Sequence, residues 1–492
     1  MGLSTRRGIG CETANTLIYA SLRLPFRFGT RQMSYFPVAI LEVDRNRLYC
    51  GNYRPRPCVW NESIQWLEPC SSLRVWGEKG NAQRGFKHMD EIIGELRPPS
   101  RVMLTPGPSN VDPRVYRALA SPIVGHLDPW FIQTMGEVQT LLRGVFQTQN
   151  RITYPISASG SGGIEAAVMN LLEEGDECIV CSNGLFSERM AVTADRSAAK
   201  VTRVNAPMGR TVDPEDVRRA GKGKKIKFIG LTHGETSTGV VQRIENYRKV
   251  ADELGALVVV DAVATLGGVP LDVDRDEIDV CFSGSQKALS APPGMAPITV
   301  NKRVEDVIRA RKKPVQSWYF DLTPAMDYWG KERTYHHTPP ISLIYGLREA
   351  ARIALEEGLE ARWERHLQNQ HALIAGLEAM GLALFVENPA ERLPTVTGVN
   401  IPAGIDDKNV RGQLLDEFNI EIAGGIGLTK GKIWRVGLMG YSSQKTNVLL
   451  FLAAMEKVMF DQGFRAPAGA GVAAAIHSYQ HSAQPASAGA RH

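Results

Sequence analysis

The stretch Ile152-Thr-Tyr-Pro-Ile156, followed by Ser157-Ala-Ser-Gly-Ser-Gly-Gly163, sets the architecture that we predict for this chain. The first five residues have the apolar character of a buried strand, and the next seven form a loop of small and hydroxyl side chains. Residues 164–173 then show helical spacing, and Gly175 is a candidate C-cap. A strand, a glycine–serine loop and a helix in this order present backbone N–H groups to a phosphate. The loop matches neither the dinucleotide fingerprint nor a Walker motif.

Strands and helices continue to alternate beyond this unit. The spacing predicts strands at 178–182, 200–204, 226–232, 256–261 and 278–283, and helices at 184–197, 214–220 and 243–254. This pattern predicts an α/β fold with a mostly parallel central sheet covered by helices on both faces. Ligands of such sheets bind outside the carboxyl ends of the strands. We therefore expect one crevice to collect the polar groups of residues 159–161, 233–236, 261–263 and 285–287.

Lys287 and Asp261 are the candidate chemical groups of this crevice. Lys287 follows a buried strand and the small residues 283–285, and a desolvated amine has a lowered pKa and can act as a nucleophile toward a carbonyl. Asp261 ends an apolar strand, where a carboxylate needs a cationic partner such as a protonated pyridine nitrogen. Each residue alone has an ordinary alternative, a solvated lysine or a strand-end cap. The order of phosphate loop, aspartate and lysine favours a pyridoxal phosphate site.

Composition excludes several other classes of function. The net charge of +5 is spread along the 492 residues, so nucleic acid is not an expected partner. No apolar run is long enough for a membrane span. The seven cysteines lack the spacing of metal ligands, and the pair Cys178 and Cys181 alternates within a predicted strand. Buried reduced thiols, and hence a reducing compartment, are the better interpretation. His336 and His337 are adjacent on an extended segment and point apart, so we expect no metal site.

The chain divides by composition into four regions. Residues 1–95 are an atypical extension with four of the seven cysteines and three of the eight tryptophans. Its arginine-rich start is compatible with an organellar transit peptide, whereas the length of the odd composition favours an over-extended start before Met89 or Met103. Residues 96–345 form the predicted large domain, which ends in an aromatic loop. Residues 346–462 form a predicted C-terminal α+β domain, entered by a long helix over 342–375, and 463–492 are an Ala/Gly-rich tail that we expect to be loosely ordered.

From 102 to 461 the chain resembles the class V aminotransferases of the fold-type-I pyridoxal-phosphate enzymes, most of all those of the alanine–glyoxylate and serine–glyoxylate (serine–pyruvate) type. The similar stretches are Thr105-Pro-Gly-Pro-Ser-Asn110, Thr232-His-Gly-Glu-Thr-Ser-Thr-Gly239, Val260-Asp-Ala-Val-Ala-Thr-Leu-Gly-Gly268, Ser283-Gly-Ser-Gln-Lys-Ala288, Tyr335-His-His-Thr338 and Trp434-Arg-Val-Gly-Leu-Met-Gly440. The resemblance implies pyridoxal 5'-phosphate as cofactor and a fold of a large domain plus a smaller C-terminal domain.

The resemblance also implies a role for individual residues around the cofactor ring. Lys287 would bind the cofactor aldehyde as a Schiff base and then shuttle the proton of the substrate. Asp261 would pair with the ring nitrogen, and Thr236 would hydrogen-bond the ring hydroxyl. Val263 would pack on one face of the ring, and Phe186 stands where the family usually places a stacking tryptophan.

Further roles concern the phosphate, the substrate and a second subunit. The resemblance implies that Arg435 binds the substrate carboxylate and that the backbone at Gly107 lines the substrate pocket. The phosphate would be held by one chain and by Tyr335 and Thr338 of another, which predicts a homodimer with shared active sites. The residues of the first chain are Ser159, Gly160, Ser161 and Gln286.

The implied reaction is a transamination with small-molecule substrates. Alanine or serine would give its amino group to glyoxylate, yielding glycine and pyruvate or hydroxypyruvate, in a cytoplasmic enzyme or, if the extension is a transit peptide, in an organelle matrix. The alternative is an (S)-ureidoglycine–glyoxylate aminotransferase, which residues 293–297 and 348–366 resemble. That family uses a glutamine and an asparagine where this chain has His126 and Tyr335, and Tyr335 is the alanine/serine form. Residues 463–481 loosely resemble the C-terminal extension of the serine enzymes.

Two further alternative functions are each contradicted by one feature of the sequence. A cysteine desulfurase needs a cysteine after the lysine, and no cysteine follows Cys281. A non-catalytic relative would be expected to lose Lys287 or Arg435, and both are present.

Overall fold

A computed structural model describes residues 94–482 of the chain. The chain divides into residues 1–96 and 97–492, and the description concerns the second unit. The predictions for the N-terminal extension, a transit peptide or an over-extended start, lie outside the described residues.

Strands and helices alternate along this unit. The strands are β1 (Val102–Met103), β2 (Ile152–Ile156), β3 (Glu177–Ser182), β4 (Lys200–Asn205), β5 (Ile226–Thr232), β6 (Gly234–Glu235), β7 (Val240–Val241), β8 (Leu257–Asp261), β9 (Val280–Phe282), β10 (Ala296–Val300), β11 (Val396–Asn400), β12 (Ile420–Glu421), β13 (Ala423–Gly424) and β14 (Ile433–Gly437). The helices are α1 (Pro113–Leu119), α2 (Pro129–Phe146), α3 (Gly160–Leu171), α4 (Leu185–Arg196), α5 (Pro214–Gly221), α6 (Tyr247–Glu253), α7 (Lys302–Arg309), α8 (Leu322–Trp329), α9 (Ile341–Glu357), α10 (Leu359–Ala379), α11 (Asp407–Phe418), α12 (Lys445–Asp461) and α13 (Ala470–Ser482).

The central sheet has seven strands in the order β2-β10-β9-β8-β5-β3-β4. The pairs from β9 to β4 are parallel, and β10 alone runs antiparallel to its two neighbours, β2 and β9. Every residue of β2, β8, β9 and β10 is buried, as expected for strands covered by helices on both faces. The predicted α/β fold with a mostly parallel sheet is therefore confirmed.

The helices between residues 317 and 379 differ from the prediction at two places. The predicted helix over 342–375 is two helices, α9 and α10, because Gly358 between them has a φ of +85° that side chains rarely adopt. The predicted loop before them contains α8, which the Asp321 side chain caps by accepting a hydrogen bond from the Thr323 N–H at 2.8 Å. Among the helices of residues 94–482, none combines the length and apolar composition needed to span a bilayer.

The C-terminal part has its own small sheet and its own core. Strands β11, β14 and β13 form an antiparallel sheet, and fully buried Trp434 lies in the apolar cluster beneath it. Leu104 joins this cluster because β1 pairs with β12. The expectation of a loosely ordered tail is wrong for residues 470–482, which form α13. Alanine favours helix, and Tyr479 ties α13 to α10 by donating a hydrogen bond to Asn369 Oδ1 at 2.6 Å.

Candidate active site

A cavity of about 160 Å³ lies at the carboxyl ends of the central strands. The predicted polar loops after β2, β5, β8 and β9 all contribute to it, together with the start of α4. The lining residues are Ser159, Gly160, Ser161, Ile164, Phe186, Arg189, Gly234, Thr236, Asp261, Val263, Ala264, Gln286 and Lys287. The structure thus brings together residues separated by more than a hundred positions in sequence.

Lys287 lies in a turn after β9 and is 9% exposed. Its Nζ donates a hydrogen bond to the Pro106 carbonyl. Burial, together with the nearby positive charge of Arg435, lowers the pKa of this amine to about 8. Gly107 makes room for the lysine, since a Cβ at that position would lie 2.5 Å from Nζ. At pH 7 about a tenth of the amine is therefore neutral and nucleophilic, far more than for a lysine with the ordinary pKa.

Asp261 is the last residue of β8 and is 2% exposed. Its Oδ1 accepts a hydrogen bond from the Val263 N–H at 2.9 Å. Burial raises the pKa of this carboxyl to about 7, and the negative charge of Glu235 adds to that effect. A cation placed in the cavity next to Asp261 would favour its ionised form, which is what a protonated pyridine nitrogen supplies.

The opposite end of the cavity suits a phosphate. Ser159 is the N-cap of α3, and its side chain makes no capping hydrogen bond, so the hydroxyl is left for a ligand. Gln286 places its side-chain amide here: its Oε1 has no partner among residues 94–482, and its NH₂ group can donate hydrogen bonds to a phosphate. At Gly160, a Cβ would lie 2.9 Å from a methyl group of Val263, so only glycine keeps this end open. These features fit pyridoxal phosphate as the group that fills the cavity.

Phe186 and Arg189 form the side of the cavity contributed by α4. The guanidinium of Arg189 lies 4.9 Å from the centre of the Phe186 ring, and its Nη1 donates a hydrogen bond to Ser161 Oγ at 2.9 Å. Sequence reasoning missed Arg189. The available signal was its position three residues after Phe186, which places both on one face of a helix.

Arg435 lies beside the cavity on β14 and is 6% exposed. Its Nε donates to the Gly424 carbonyl at 2.9 Å and its Nη1 to the Thr236 carbonyl at 3.0 Å. Burial lowers the pKa of the guanidinium to about 10, so it stays charged at neutral pH. Its Nη2 makes no hydrogen bond within the described part of the chain.

Tyr335 and Thr338 do not reach the cavity of their own chain. Both are exposed, and their hydroxyl oxygens lie 3.3 Å apart. The Tyr335 ring contacts that of His126, with 5.1 Å between ring centres. His337 instead makes a 2.7 Å hydrogen bond between its Nε2 and Ser157 Oγ. Across residues 94–482, no group of three or more histidine, cysteine or acidic side chains could hold a metal ion.

Comparison with known proteins agrees with this arrangement. The family model described as aminotransferase class-V matches residues 114–445. The (S)-ureidoglycine–glyoxylate transaminase of Bacillus subtilis is 43% identical over 410 residues, covering 80% of this chain and 98% of the relative. The alanine–glyoxylate aminotransferase of Mus musculus is 39% identical, covering 72% and 86%.

Solved structures give the same result. The crystal structure of ureidoglycine–glyoxylate aminotransferase from Bacillus subtilis superposes with a TM-score of 0.77 at 45% identity, covering 79% of this chain and all of that one. That of alanine–glyoxylate aminotransferase from Nostoc sp. has a TM-score of 0.73 at 42% identity, covering 75% and 97%. With its lysine, aspartate and phosphate loop around one cavity, the chain belongs to the class V aminotransferases, which have the fold of the fold-type-I enzymes and use pyridoxal phosphate.

Proposed function

We propose that this aminotransferase moves the amino group of alanine or serine to glyoxylate, producing glycine and pyruvate or hydroxypyruvate. The observation that carries the proposal is the buried, charged Arg435 beside Lys287. Donor and acceptor both carry a carboxylate next to the reacting carbon, and a planar guanidinium binds a carboxylate in a fixed orientation. When bound, pyridoxal phosphate supplies an electron sink for the charge that develops at the substrate α-carbon.

Lys287 and Asp261 divide the proton chemistry between them. The Nζ of Lys287, whose pKa burial lowers to about 8, would take the proton from the substrate α-carbon in its neutral form and would hold that proton until the amino group has been transferred. Asp261, ionised beside a cationic ring nitrogen, holds the proton on that nitrogen. We also propose that the backbone of Gly107 lines the substrate pocket, because the lack of a side chain at this position leaves room for the Lys287 amine.

The remaining cavity residues bind and orient the cofactor. Val263 and Phe186 are proposed to contact the two faces of the ring, and Thr236 its hydroxyl. Phenylalanine has less stacking area than tryptophan, and Arg189 supports its ring by a cation–π contact. Four proposed phosphate ligands line the other end: Ser159, Gly160, Ser161 and Gln286.

We also propose that two copies of the chain complete each site, with Tyr335 and Thr338 reaching the phosphate of the other copy. The support is an exposed aromatic patch around this segment. Trp318 is 65% exposed although its ring contacts His336, and Tyr319, which contacts His337, is 39% exposed. Large exposed aromatic side chains are typical of protein interfaces.

Ureidoglycine is the second candidate donor. The relative from Bacillus subtilis named for this donor is 43% identical over 98% of its own length. Tyr335 argues against ureidoglycine as the donor, because a tyrosine at this position is found in enzymes of the alanine/serine type. The contact between Tyr335 and His126 makes this pair the proposed determinant of the donor.

A panel of alanine, serine and ureidoglycine, each with glyoxylate and with glycine formation as the readout, tests the choice of donor. We expect kcat/KM for alanine or serine to exceed that for ureidoglycine. The double variant His126→Gln/Tyr335→Asn, which carries the residue types of the ureidoglycine enzymes, should shift the preference toward ureidoglycine. A wild-type preference for ureidoglycine would establish the second candidate instead.

A further inference from the structure

Glu235 is a fully buried carboxylate that sits behind the cavity wall. Its Oε2 accepts hydrogen bonds from the Phe186 N–H at 3.0 Å, the Ser187 N–H at 3.1 Å and the Ser187 hydroxyl at 3.3 Å. Its Oε1 accepts from the Ser237 N–H at 3.0 Å and the Ser237 hydroxyl at 2.6 Å. All five groups can donate, although the Ser187 hydroxyl shares its proton with the Gly184 carbonyl at 3.0 Å, and a carboxylate, which is a pure acceptor, suits these surroundings.

Three of these bonds fix the first turn of α4. The free N–H groups of a helix N-terminus favour a negative charge, and Glu235 supplies it at the residue that carries the Phe186 ring. The approach is close, since a Cβ at Gly184 would lie 2.5 Å from Ser237 Oγ. The Leu185 N–H adds a bond of 3.0 Å to that same hydroxyl. The position of Phe186 over the cavity therefore depends on Glu235.

The two hydrogen bonds from Ser237 to Glu235 hold the segment 235–237, which contacts Arg435, the proposed substrate-binding arginine. Thr236 lies between the carboxylate and its partner Ser237, and its carbonyl accepts the 3.0 Å hydrogen bond from Arg435 Nη1. The negative charge of Glu235 also opposes the effect of burial on the Arg435 guanidinium. The Glu235 side chain thus joins α4 to the segment 235–237, and that segment contacts Arg435 through the Thr236 carbonyl.

We propose that Glu235 is a positioning residue that links the cofactor contacts of Phe186 and Thr236 to the carboxylate contact of Arg435. The proposal rests on the functions proposed above for those three residues. It predicts that loss of the carboxylate weakens cofactor binding and donor binding together, although Glu235 touches neither molecule.

The test is a pyridoxal phosphate titration of the apoenzyme of Glu235→Gln. The amide keeps the size of the side chain but turns an NH₂ toward N–H donors. Loss of charge-assisted hydrogen bonds should raise the cofactor dissociation constant by about 10- to 100-fold. The KM for the amino donor should rise as well, and the circular dichroism of the cofactor band should change because the ring tilts.

Asp279→Asn is the matched control. Asp279 is 1% exposed and accepts hydrogen bonds from the Val258 N–H at 2.8 Å and Arg248 Nη1 at 2.9 Å. It precedes β9, at the end opposite to Lys287. This variant should lose thermal stability while its cofactor affinity stays at the wild-type value.

Ser237→Ala provides a second, milder variant should Glu235→Gln fail to fold. It removes the hydroxyl that bonds Glu235 and the Leu185 N–H, and it should weaken cofactor binding in the same direction. Cofactor affinity and donor KM within twofold of wild type in the folded variants would overturn the proposal, as would an equal loss of affinity in Asp279→Asn. A wild-type enzyme that fails to bind pyridoxal phosphate would contradict the proposed function instead.

Discussion

Burial shifts the pKa values of Lys287 and Asp261 toward each other, to about 8 and about 7. The cause is the same for both, because a cavity with little solvent disfavours the charged form of either group. The two shifts have different uses. In the proposed function, the neutral amine of Lys287 would attack the cofactor aldehyde, whereas the carboxyl of Asp261 would ionise when a cation is placed beside it.

Cofactor loading should follow the titration of Lys287. As pH rises toward 8, the neutral fraction of the amine grows, so the rate of pyridoxal phosphate binding to the apoenzyme should increase about tenfold per pH unit and level off above that pH. Stopped-flow absorbance between pH 6 and 10 measures this rate. A rate that keeps rising to pH 10 would show an amine with the ordinary lysine pKa.

The substitution Gly107→Ala should displace the Lys287 side chain and thereby weaken cofactor binding. Gly107 has a φ of +105°, and the added methyl would lie 2.5 Å from Nζ, so we expect cofactor affinity to fall by at least about tenfold. Gly175→Ala is the control, since Gly175 also has a positive φ, of +87°, but has open space around it. It should lower stability by about 1 kcal/mol and leave cofactor titrations unchanged. Equal cofactor affinities in the two variants would contradict the role given to Gly107.

The sequence could identify Lys287 and Asp261 because each follows an apolar strand, where a charged group needs an explanation. Glu235 also follows an apolar strand, but the sequence did not indicate its contacts, and Arg189 lies on a helix and gave no such signal. Their roles depend on contacts with Phe186 and Ser161, which lie 49 and 28 residues away in the chain. Only the packing of α4 against the loop after β5 and against α3 brings these groups together.

At the scale of helices and strands, the sequence predicted correctly those elements in which one hydrophobic pattern dominates. Strands β2 and β5 have the predicted bounds because a buried strand is a continuous apolar run between turn residues. Strand β10 was not predicted, although it has five residues and a proline as β2 does; it differs in following a Pro-Gly turn. The tail was misjudged because its glycine content suggested loose order, whereas Gly471 lets α13 approach α10 closely. A Cβ at Gly376 of α10 would lie 2.8 Å from the Gly471 carbonyl oxygen.

Removal of α13 should therefore destabilise the C-terminal part. A chain ending at Gly469 loses the burial of Ala475 and the Tyr479–Asn369 hydrogen bond. We expect Tm to fall by roughly 5 °C with cofactor affinity preserved. Tyr479→Phe, which removes the hydrogen bond alone, should cost about 1 kcal/mol. A truncated protein with the wild-type Tm would show that α13 contributes nothing to stability.

At the scale of the whole molecule, the site combines residues that follow strands of the central seven-stranded sheet with Arg435 from the three-stranded C-terminal sheet. Pro106 meets Lys287 near the main sheet, and Arg435 reaches the same place from β14. Sequence motifs predicted these residues, but only the fold shows that Tyr335 and Thr338 stay outside the cavity of their own chain. The proposed homodimer accounts for that separation.

Mixing two inactive variants tests the shared site. Lys287→Ala retains Tyr335, and Tyr335→Ala retains Lys287, so a hybrid dimer contains one complete site and one doubly defective site. Refolding equal amounts together should restore about a quarter of wild-type activity, because half of the dimers are hybrids with one working site. The sum of the two separate activities, without any gain, would contradict the shared site.

Covalent labelling tests whether Lys287 is the residue that binds the cofactor. The cofactor-loaded enzyme is treated with borohydride, which makes the lysine–cofactor bond permanent, and its peptides are mapped by mass spectrometry. We expect one pyridoxyl group per chain, on the peptide that contains Lys287, and none in Lys287→Ala. A label on another lysine, or an unlabelled wild-type protein, would contradict this role of Lys287.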